Sequence, residues 1–490
     1  GYGLIFYGFC FESFKDLKDK NTIFIGFYGL LFITFISLIT SLFVPHNFMH
    51  NLILHSIGVL FFIFHKAENK IEYLKNIFFI SLFLFSALLI SKTHDDFSFY
   101  HFTFTKYLTE QKVIFGMGLM GHGYKFISSL FFLNSSFYLP FIEYYSYNFT
   151  KLYFLIFFNF FILREVISKK TPEIIKILYL FAFVFFNLSF TRLAEYGTDK
   201  AGQLLIVILI IKLFHYVFFD SDNNKIEKLL LLIPLFGFSI SLKTYFIPYI
   251  IFGAVIFLLN NNIFKNFILL LYSKSFLVFI SLLILYFFHH FISTGCLISP
   301  MSYTCLGDNL KWAHDAESYK RLSHYLEQWS KAGATPNYRV ENPEVYIQYF
   351  NWVPNWIENY ASGKLFEQLQ LLLVVFLITL VVLKKKKFKN EKLIFKNKIL
   401  FFYLIIFVIF SIWFMNHPTL RYGGYPVIFL TLAFPFAFLF QKLENKQFFD
   451  KNLKFIIILV IVAFNFKNIT RIDKEFNRSD LFKFNNFPFF

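Results

Sequence analysis

Apolar runs recur along nearly the whole chain and are separated by lysine-rich or longer mixed polar connections. A helix needs about 20 apolar residues to cross a bilayer, so this pattern predicts roughly 13 or 14 membrane-spanning helices. Residues 1–11 look like the end of one more span, and the chain opens on Gly1 rather than Met, so we expect residues to be missing before it. The predicted spans are 22–43, 51–64, 76–91, 152–163, 174–190, 203–219, 229–240, 245–259, 276–292, 369–383, 399–415, 426–440 and 455–466.

Lysine and arginine fall mainly in alternate connections between these runs, among them the four consecutive lysines at 384–387. Cytoplasmic loops of membrane proteins carry an excess of Lys and Arg, so these connections are predicted to face the cytoplasm. The opposite face then receives the long connections that contain Asp, Glu, His, Trp and Tyr. The pattern therefore predicts a multi-pass protein of the bacterial inner membrane, in contact with the lipid bilayer, with its large loops in the periplasm.

Composition favours a membrane protein and excludes an ordinary soluble one. Of the 490 residues, 57% are hydrophobic, 23% are aromatic and only 16% are charged, whereas soluble domains carry about 25% charged residues. In a soluble protein the formal net charge of +17 would favour nucleic-acid binding. Here the lysines are expected to hold loops in the cytoplasm, so no nucleic acid is expected as a partner.

The predicted fold class is all-α: a polytopic membrane helical bundle with extracytoplasmic loops and juxtamembrane helices. Residues 1–292 are expected to form an N-terminal bundle that includes the outer loop 92–150, and 293–368 a periplasmic loop that covers the site as a lid. Residues 369–466 would form a C-terminal bundle and 467–490 an outer tail. Within the loops, 103–112 and 315–332 read as amphipathic helices, and 126–142 is apolar enough to lie in the interface or re-enter the bilayer.

Two adjacent carboxylates, Asp95 and Asp96, directly follow an apolar run, and His94 and His101 flank them. Adjacent carboxylates repel each other, which favours proton uptake by one of them unless a cation compensates. A carboxylate of this kind suits general-base catalysis. Both are therefore candidate catalytic residues, and His101 is a candidate for substrate binding. The alternatives are that the pair binds a divalent metal ion, or that it caps a helix beside an aromatic belt.

The next outer connection, 191–202, also concentrates charge at a predicted membrane boundary. Arg192 is a candidate for phosphate binding, and Glu195 and Asp199 are second-tier acidic candidates. Residues four apart share a helix face, so the two acids are expected to lie together if the segment is helical. Ion pairing of these acids with Arg192 or Lys200 is the structural alternative.

Two later cations also lie at outer boundaries. Lys243 sits between two apolar runs with almost no loop around it, where an ionisable group usually faces a cavity or a partner. Arg421 lies in the sequence LRYGG with Tyr422 beside it, and arginine suits bidentate phosphate binding. Lys243, Arg421 and Tyr422 are therefore candidate phosphate-binding residues. The alternatives are a lysine that extends to the interface and an arginine that caps a helix end.

The largest outer loop contains a cysteine pair and an aromatic segment. Cys296 and Cys305 flank Pro300, which bends the segment, so their side chains are expected to close a small disulfide loop in an oxidising periplasm. The third cysteine, Cys10, lies in an apolar run and is expected to be buried. The segment 342–360 holds Trp352 and Trp356 among several tyrosines, which suits either sugar stacking or a helix against the membrane.

The arrangement resembles the GT-C superfamily of integral-membrane glycosyltransferases, which use polyprenyl-phosphate-linked sugars. The resemblance lies in the many spans, the sequence HDDFSFYHF (94–102) after a span, surface helices following it, and basic residues at later outer boundaries. Together with AEYGTDKAGQ (194–203) and LRYGG (420–424), that sequence is also similar to uncharacterised bacterial membrane proteins grouped loosely with the superfamily. The resemblance implies that Asp95 or Asp96 activates an acceptor and that Lys243 and Arg421 bind the lipid phosphate.

The function expected from this resemblance is sugar transfer from a polyprenyl-phosphate donor to a cell-envelope glycan or lipid acceptor. No organic cofactor is implied, and a divalent metal ion is a further candidate partner of the acidic pair. One alternative is a lipid-linked oligosaccharide polymerase. Another is a lipid or glycan transporter, which would place charges inside several spans and a repeat between its halves, whereas the charges here cluster at the boundaries of the runs.

Overall fold

The computed structural model of the protein describes residues 1–11, 24–65, 70–89, 96–141, 143–195, 197–220, 225–258, 263–299, 301–306, 310–333, 340, 342–383, 396–441 and 446–478. Within these ranges the regular structure is helical, and one isolated bridge joins Cys296 and Cys305. The α-helices are α1 Tyr2–Phe11, α2 Ile25–Thr40, α3 Phe48–Phe64, α4 Lys70–Phe83, α5 Phe102–Glu110, α6 Ser129–Ser135, α7 Ser146–Ile167, α8 Glu173–Ser189, α9 Asp199–Phe218, α10 Lys225–Leu230, α11 Ile233–Leu242, α12 Ile263–Leu271, α13 Lys274–Thr294, α14 Ala316–Lys331, α15 Pro343–Ile347, α16 Val353–Trp356, α17 Phe366–Leu383, α18 Lys396–Asn416, α19 Gly424–Gln441 and α20 Lys446–Arg478.

Five helical segments in the described part of the chain are long and apolar enough to cross a membrane. They are Asp199–Phe218, Lys274–Thr294, Val353–Thr379, Lys398–Asn416 and Asn452–Asn477, and shorter apolar helices cover Ile25–Thr40, Phe48–Phe64, Thr244–Val255 and Gly424–Leu439. The all-α membrane class predicted from the sequence is supported at this level.

Several of the 13 or 14 predicted spans are interrupted, because local backbone features stop the α-helix. The run 76–91 leaves the α-helix at Leu84 and continues as a short 3₁₀ segment. The run 229–240 is divided between α10 and α11 by a turn at 231–232. The run 245–259 is a 3₁₀ helix, Thr244–Leu258, with Pro248 inside it, and proline removes a hydrogen bond of a helix interior.

The helix α9 is the centre of the bundle. Apart from Lys200 and His215, every residue of this helix is buried, and a helix that is apolar all round belongs inside a larger assembly. It packs against α7, α8, α11 and α19, and α11 packs in turn against α13. Most of the buried apolar side chains form one continuous core that extends from Tyr2 to Phe464, so the two predicted bundles share it.

The predicted outer loop 92–150 is partly folded into the bundle. The amphipathic helix expected at 103–112 is present as α5, with Phe104, Thr105, Leu108 and Thr109 on its buried face. The apolar stretch 126–142 contains α6, all seven residues of which are buried. α6 packs against α2, α5 and α7. Its role is therefore to fill the interior rather than to lie along the outer surface.

The segment 293–368 carries its own small core. Cys296 and Cys305 form a disulfide, and the buried Cys296 packs with Tyr319 of α14. α14 matches the amphipathic helix predicted at 315–332, and Asp315 caps it by accepting from the Ser318 N–H. The free cysteine, Cys10, is fully buried as expected.

Trp352 and Trp356 are packing residues rather than surfaces for sugar stacking. Trp352 is fully buried and Trp356 is 6% exposed. The two indoles contact each other and the ring of Phe414 on α18, which fixes the loop 342–360 to the end of that helix.

Candidate functional site

Two acidic and two basic side chains from four distant segments meet at one end of the bundle. Arg421 donates from Nη2 to Asp96 Oδ2 at 2.6 Å and from Nε to Asp199 Oδ2 at 2.5 Å. The Lys243 Nζ lies 2.9 Å from Asp199 Oδ1. We call these side chains the four-residue network and the end of the bundle that holds them the site end. Within the network, two positive and two negative charges balance.

Asp199 is central to the network because α9 begins there. A helix N-terminus favours a negative charge, since its first backbone N–H groups are unpaired and its dipole is positive at that end. The backbone carbonyl of Asp199 accepts from Tyr245 Oη at 2.7 Å. The Asp199 side chain is only 10% exposed, so its charge is compensated by Lys243 and Arg421 rather than by water.

Lys243 reaches Asp199 because the chain leaves the helix at this position. It is the C-cap residue of α11, with an extended backbone at φ −156° and ψ 129°. Of the two interpretations of this lysine, a partner inside the protein or extension to the interface, the structure has the first, since its side chain is 15% exposed and paired with Asp199. The partner is a carboxylate of the protein itself.

Arg421 lies in a short 3₁₀ turn, Leu420–Tyr422, whose backbone is hydrogen-bonded by side chains of the 342–360 loop and of α9. The Trp356 Nε1 donates to the carbonyl of Pro418 at 2.7 Å, and the Leu420 N–H donates to Tyr360 Oη at 2.7 Å. The Gln203 side chain, one turn into α9, donates to the Arg421 carbonyl at 3.1 Å. The guanidinium is therefore held in position by both α9 and the 342–360 loop.

The charge of Arg421 is secured by its carboxylate partners. Burial is the largest single influence and acts to lower the pKa of Arg421, but Asp199 and the other negatively charged or polar neighbours together outweigh it and raise the pKa well above its usual high value. Asp96 acts in the same direction. The guanidinium is therefore charged at every physiological pH.

Asp96 and Arg421 form the accessible edge of the network. Both side chains are 28% exposed, compared with 10% for Asp199. Asp96 precedes a π-helical turn, Phe97–His101, that leads into α5. The second acid of the predicted pair, Asp95, and its neighbour His94 lie outside the described residues.

His101 lies beside the network and is neutral. It is 4% exposed, and its ring packs so closely on Gly197 that a Cβ there would overlap the imidazole. Burial lowers the pKa of His101 well below its usual value, and the positive charge of Lys151 lowers it further. Asp199 acts in the opposite direction without reversing the shift.

Aromatic residues border the network on the side of the 293–368 segment. The Tyr422 ring lies 5.9 Å from the Trp329 ring of α14 and 5.6 Å from the imidazole of His417. The Arg421 guanidinium carbon is 5.9 Å from the Trp329 ring centre, close enough for a cation–π interaction. Burial raises the pKa of Tyr422 to about 12, so its hydroxyl remains protonated at neutral pH.

Arg192 and Glu195 form a second ion-pair cluster instead of joining the network. The Arg192 Nε lies 2.7 Å from Glu195 Oε2, and Arg471 of α20 binds the other carboxylate oxygen. Glu195 and Asp199 do not share a helix face, because α9 begins only at Asp199 and Glu195 lies in the preceding turn, where the alternative pairing with Arg192 is present. Arg471 also donates to the Leu89 carbonyl at 3.0 Å.

Several residues near the site carry no sequence signal that marks them. Arg471 lies in the predicted tail after 466, but α20 continues to Arg478 and brings it to Glu195. In the sequence, Gln203 looks like an ordinary polar residue of a helix. Trp329 looks like one more residue of an amphipathic helix. Of these three residues, a search for polar residues in the first turns of the apolar runs would have found only Gln203.

A buried ion pair lies far from the site end. The Lys212 Nζ is 2.7 Å from Glu165 Oε1, and both side chains are at most 5% exposed. Glu165 also accepts from Thr171 Oγ1 at 3.0 Å. At 1.5 Å rise per residue, Lys212 lies roughly 20 Å along α9 from Asp199. Lys212 lies inside the predicted run 203–219, whereas Glu165 follows the run 152–163, so the expectation that charges cluster at the boundaries of the runs fails at Lys212.

The described residues assemble no evident metal centre. Within the described ranges, no group of three or more His, Cys, Asp and Glu side chains is placed to hold a metal ion. Asp96 is bound to Arg421, and Asp95 lies outside the described residues. The metal interpretation of the acidic pair stays a prediction.

In the described part of the chain, the fold and the site define a helical protein with five helical segments long and apolar enough to span a membrane and a charged network at one end of the bundle. The chain belongs to the family described as "Domain of unknown function (DUF8201)", whose family model matches residues 2–429. The matched range includes every member of the four-residue network. No curated protein and no solved structure matches the chain.

Proposed function

We propose that the protein is a membrane glycosyltransferase that moves a sugar from a polyprenyl-phosphate donor to a cell-envelope glycan or lipid acceptor on the outer face. The observation that carries the proposal is the convergence of Asp96, Asp199, Lys243 and Arg421 at one end of an apolar bundle. A lipid-linked donor is held in the bilayer beside such a site. Transfer then needs electrostatic stabilisation of the departing phosphate and a base for the acceptor hydroxyl.

The different exposed fractions of Asp199 and Asp96 indicate a different role for each acid. Asp199 is the more buried acid and keeps Lys243 and Arg421 in place. The contact between Asp96 and Arg421 is the more accessible one, so a phosphate that approaches Arg421 competes first with Asp96. In this proposal the donor phosphate replaces Asp96 on the guanidinium, and the released carboxylate accepts the proton of the acceptor hydroxyl.

Asp96→Asn tests the proposed base. General-base catalysis typically contributes about 10²–10⁴-fold, so the variant should lose sugar transfer by at least about 100-fold at normal expression. Glu110→Gln is the matched control, because Glu110 is an exposed acid on α5 paired with Lys106. The readouts are transfer from a labelled polyprenyl-phosphate sugar and the envelope glycan of cells that carry each variant. An unchanged glycan in the Asp96→Asn strain would contradict the assignment.

The buried pair of Glu165 and Lys212 favours a lipid or glycan transporter as a second candidate. Ionisable residues between membrane helices often mark transport pathways, and both members of this pair lie within helices of the bundle. Flipping of a labelled lipid-linked sugar in proteoliposomes, without bond formation, would support the transporter. A ladder of lengthened lipid-linked glycans would instead support the polymerase.

A further inference from the structure

A buried pair of polar residues lies next to the network on α7. Asn148 and Lys151 are each 2% exposed. They are three residues apart in the helix, so their side chains share one face. Side chains in a helix lean toward its N-terminus, which directs Lys151 toward Asn148. The site end therefore contains a cation and an amide, both almost fully removed from water, that the sequence analysis did not select.

These two side chains lack the partners that buried polar groups normally have. Neither Nδ2 nor Oδ1 of Asn148 has a hydrogen-bond partner among the described residues. The Lys151 ammonium lies over the ring of Phe97, with Nζ 6.0 Å from the ring centre. Burial of an unpaired ammonium or an unsatisfied amide costs free energy unless a partner compensates. The two residues thus present donors that an anion would satisfy.

The neighbours of this pair connect it to the network. Phe97, the ring below Lys151, directly follows Asp96 in the chain. His101 lies close enough to Lys151, Lys243 and Asp199 to be influenced by all three charges. The Lys151 charge therefore acts on the same imidazole as the charges of Lys243 and Asp199, which places Lys151 next to the network.

We propose that Asn148 and Lys151 form a phosphate-binding subsite of the same active site. The Lys151 ammonium supplies the charge and the Asn148 amide a neutral donor. Each cation of the network already faces a carboxylate, so an anion has to displace Asp96 there, whereas Lys151 forms no ion pair with a carboxylate within the described ranges. Assigning the phosphate to the lipid-linked donor rests on the proposed function, but the anion subsite itself does not.

The test is phosphate binding by the purified full-length protein in detergent, with inorganic phosphate and farnesyl monophosphate as separate probes. Lys151→Met removes the charge at similar length. Asn148→Asp supplies Lys151 with a carboxylate and repels phosphate. The control is Lys176→Met, because Lys176 is also buried but pairs with Glu173 at 3.4 Å in the first turn of α8, far from the site end.

We expect the wild type and Lys176→Met to bind a probe with the same affinity, and Lys151→Met and Asn148→Asp to bind it at least tenfold more weakly. Binding of both probes would identify phosphate itself as the ligand, and binding of farnesyl monophosphate alone would identify a lipid headgroup. Equal affinity of Lys151→Met and the wild type, or no binding of either probe to the wild type, would overturn the subsite. Because no transfer is measured, this result is independent of the Asp96→Asn assay.

Discussion

Arg421 illustrates how one side chain organises a site from remote parts of the chain. Its planar guanidinium offers a fork of donors, and two of them bind different carboxylates, Asp96 and Asp199. A lysine ammonium carries its three donors on one atom and lacks this planar fork, in which separate nitrogens reach the two acids. In this arrangement the less exposed acid, Asp199, holds the two cations in position, and the more exposed acid, Asp96, is accessible for reaction.

Measurements of stability, unlike measurements of activity, should distinguish Asp199 from Asp96. Asp199→Asn leaves Lys243 without a carboxylate in a nearly buried position, so the free energy of unfolding should fall by about 3 kcal/mol. Asp96→Asn breaks a more exposed contact and should cost less than about 1 kcal/mol. Thermal or denaturant unfolding in detergent measures both. Equal losses for the two variants would contradict the proposed division of roles.

His417 is expected to make the stability of the protein depend on pH. Burial lowers the pKa of His417 to about 4, whereas an unfolded histidine has a pKa near about 6.5. As the pH drops, the unfolded chain therefore binds a proton before the folded protein does. Through His417, the free energy of unfolding falls between about pH 6.5 and about pH 4, by up to about 3 kcal/mol, and stays constant below that range. His417→Asn should make this part of the profile less steep by the share that His417 contributes. A variant profile that matches the wild type would show that His417 is not responsible.

At the scale of elements, the turn 420–422 depends on a glycine. Gly423 has φ 83°, and a Cβ there would come within 3.2 Å of the Tyr245 ring. Gly423→Ala should therefore destabilise the protein by about 1–2 kcal/mol and displace Arg421, with loss of transfer. The control is Gly363→Ala, where a Cβ would meet no atom within 4 Å. Equal unfolding temperatures of the two variants would argue against strain at Gly423.

Elements with a strong local signal were predictable from the sequence. α5 and α14 follow from their amphipathic patterns, and Asp315 marks the start of α14 as an N-cap. Local pattern did not reveal the break at Leu84 or the burial of α6, because an apolar run looks the same whether it crosses a bilayer or fills an interior. The apolar pattern also did not predict that α20 continues to Arg478, because the last turns of this helix are polar.

At the scale of the whole molecule, the candidate site is made of long-range contacts. Asp96 and Arg421 are 325 positions apart, and Asp199 and Arg421 are 222 apart. The alternation of lysine-rich connections placed these residues on the same predicted face. Their pairing, and the separate cluster of Arg192 with Glu195, follow from packing around α9, which a single sequence does not encode in any local pattern.

The most direct test of the central claim is a double-mutant cycle on sugar transfer. Purified wild type, Asp96→Asn, Arg421→Gln and the double variant would be compared with one labelled polyprenyl-phosphate sugar. Residues that act as a unit give non-additive losses, so each single variant should lose at least about 100-fold and the double variant no more than the worse single one. Losses that multiply in the double variant, or single variants that transfer as the wild type does, would contradict the account.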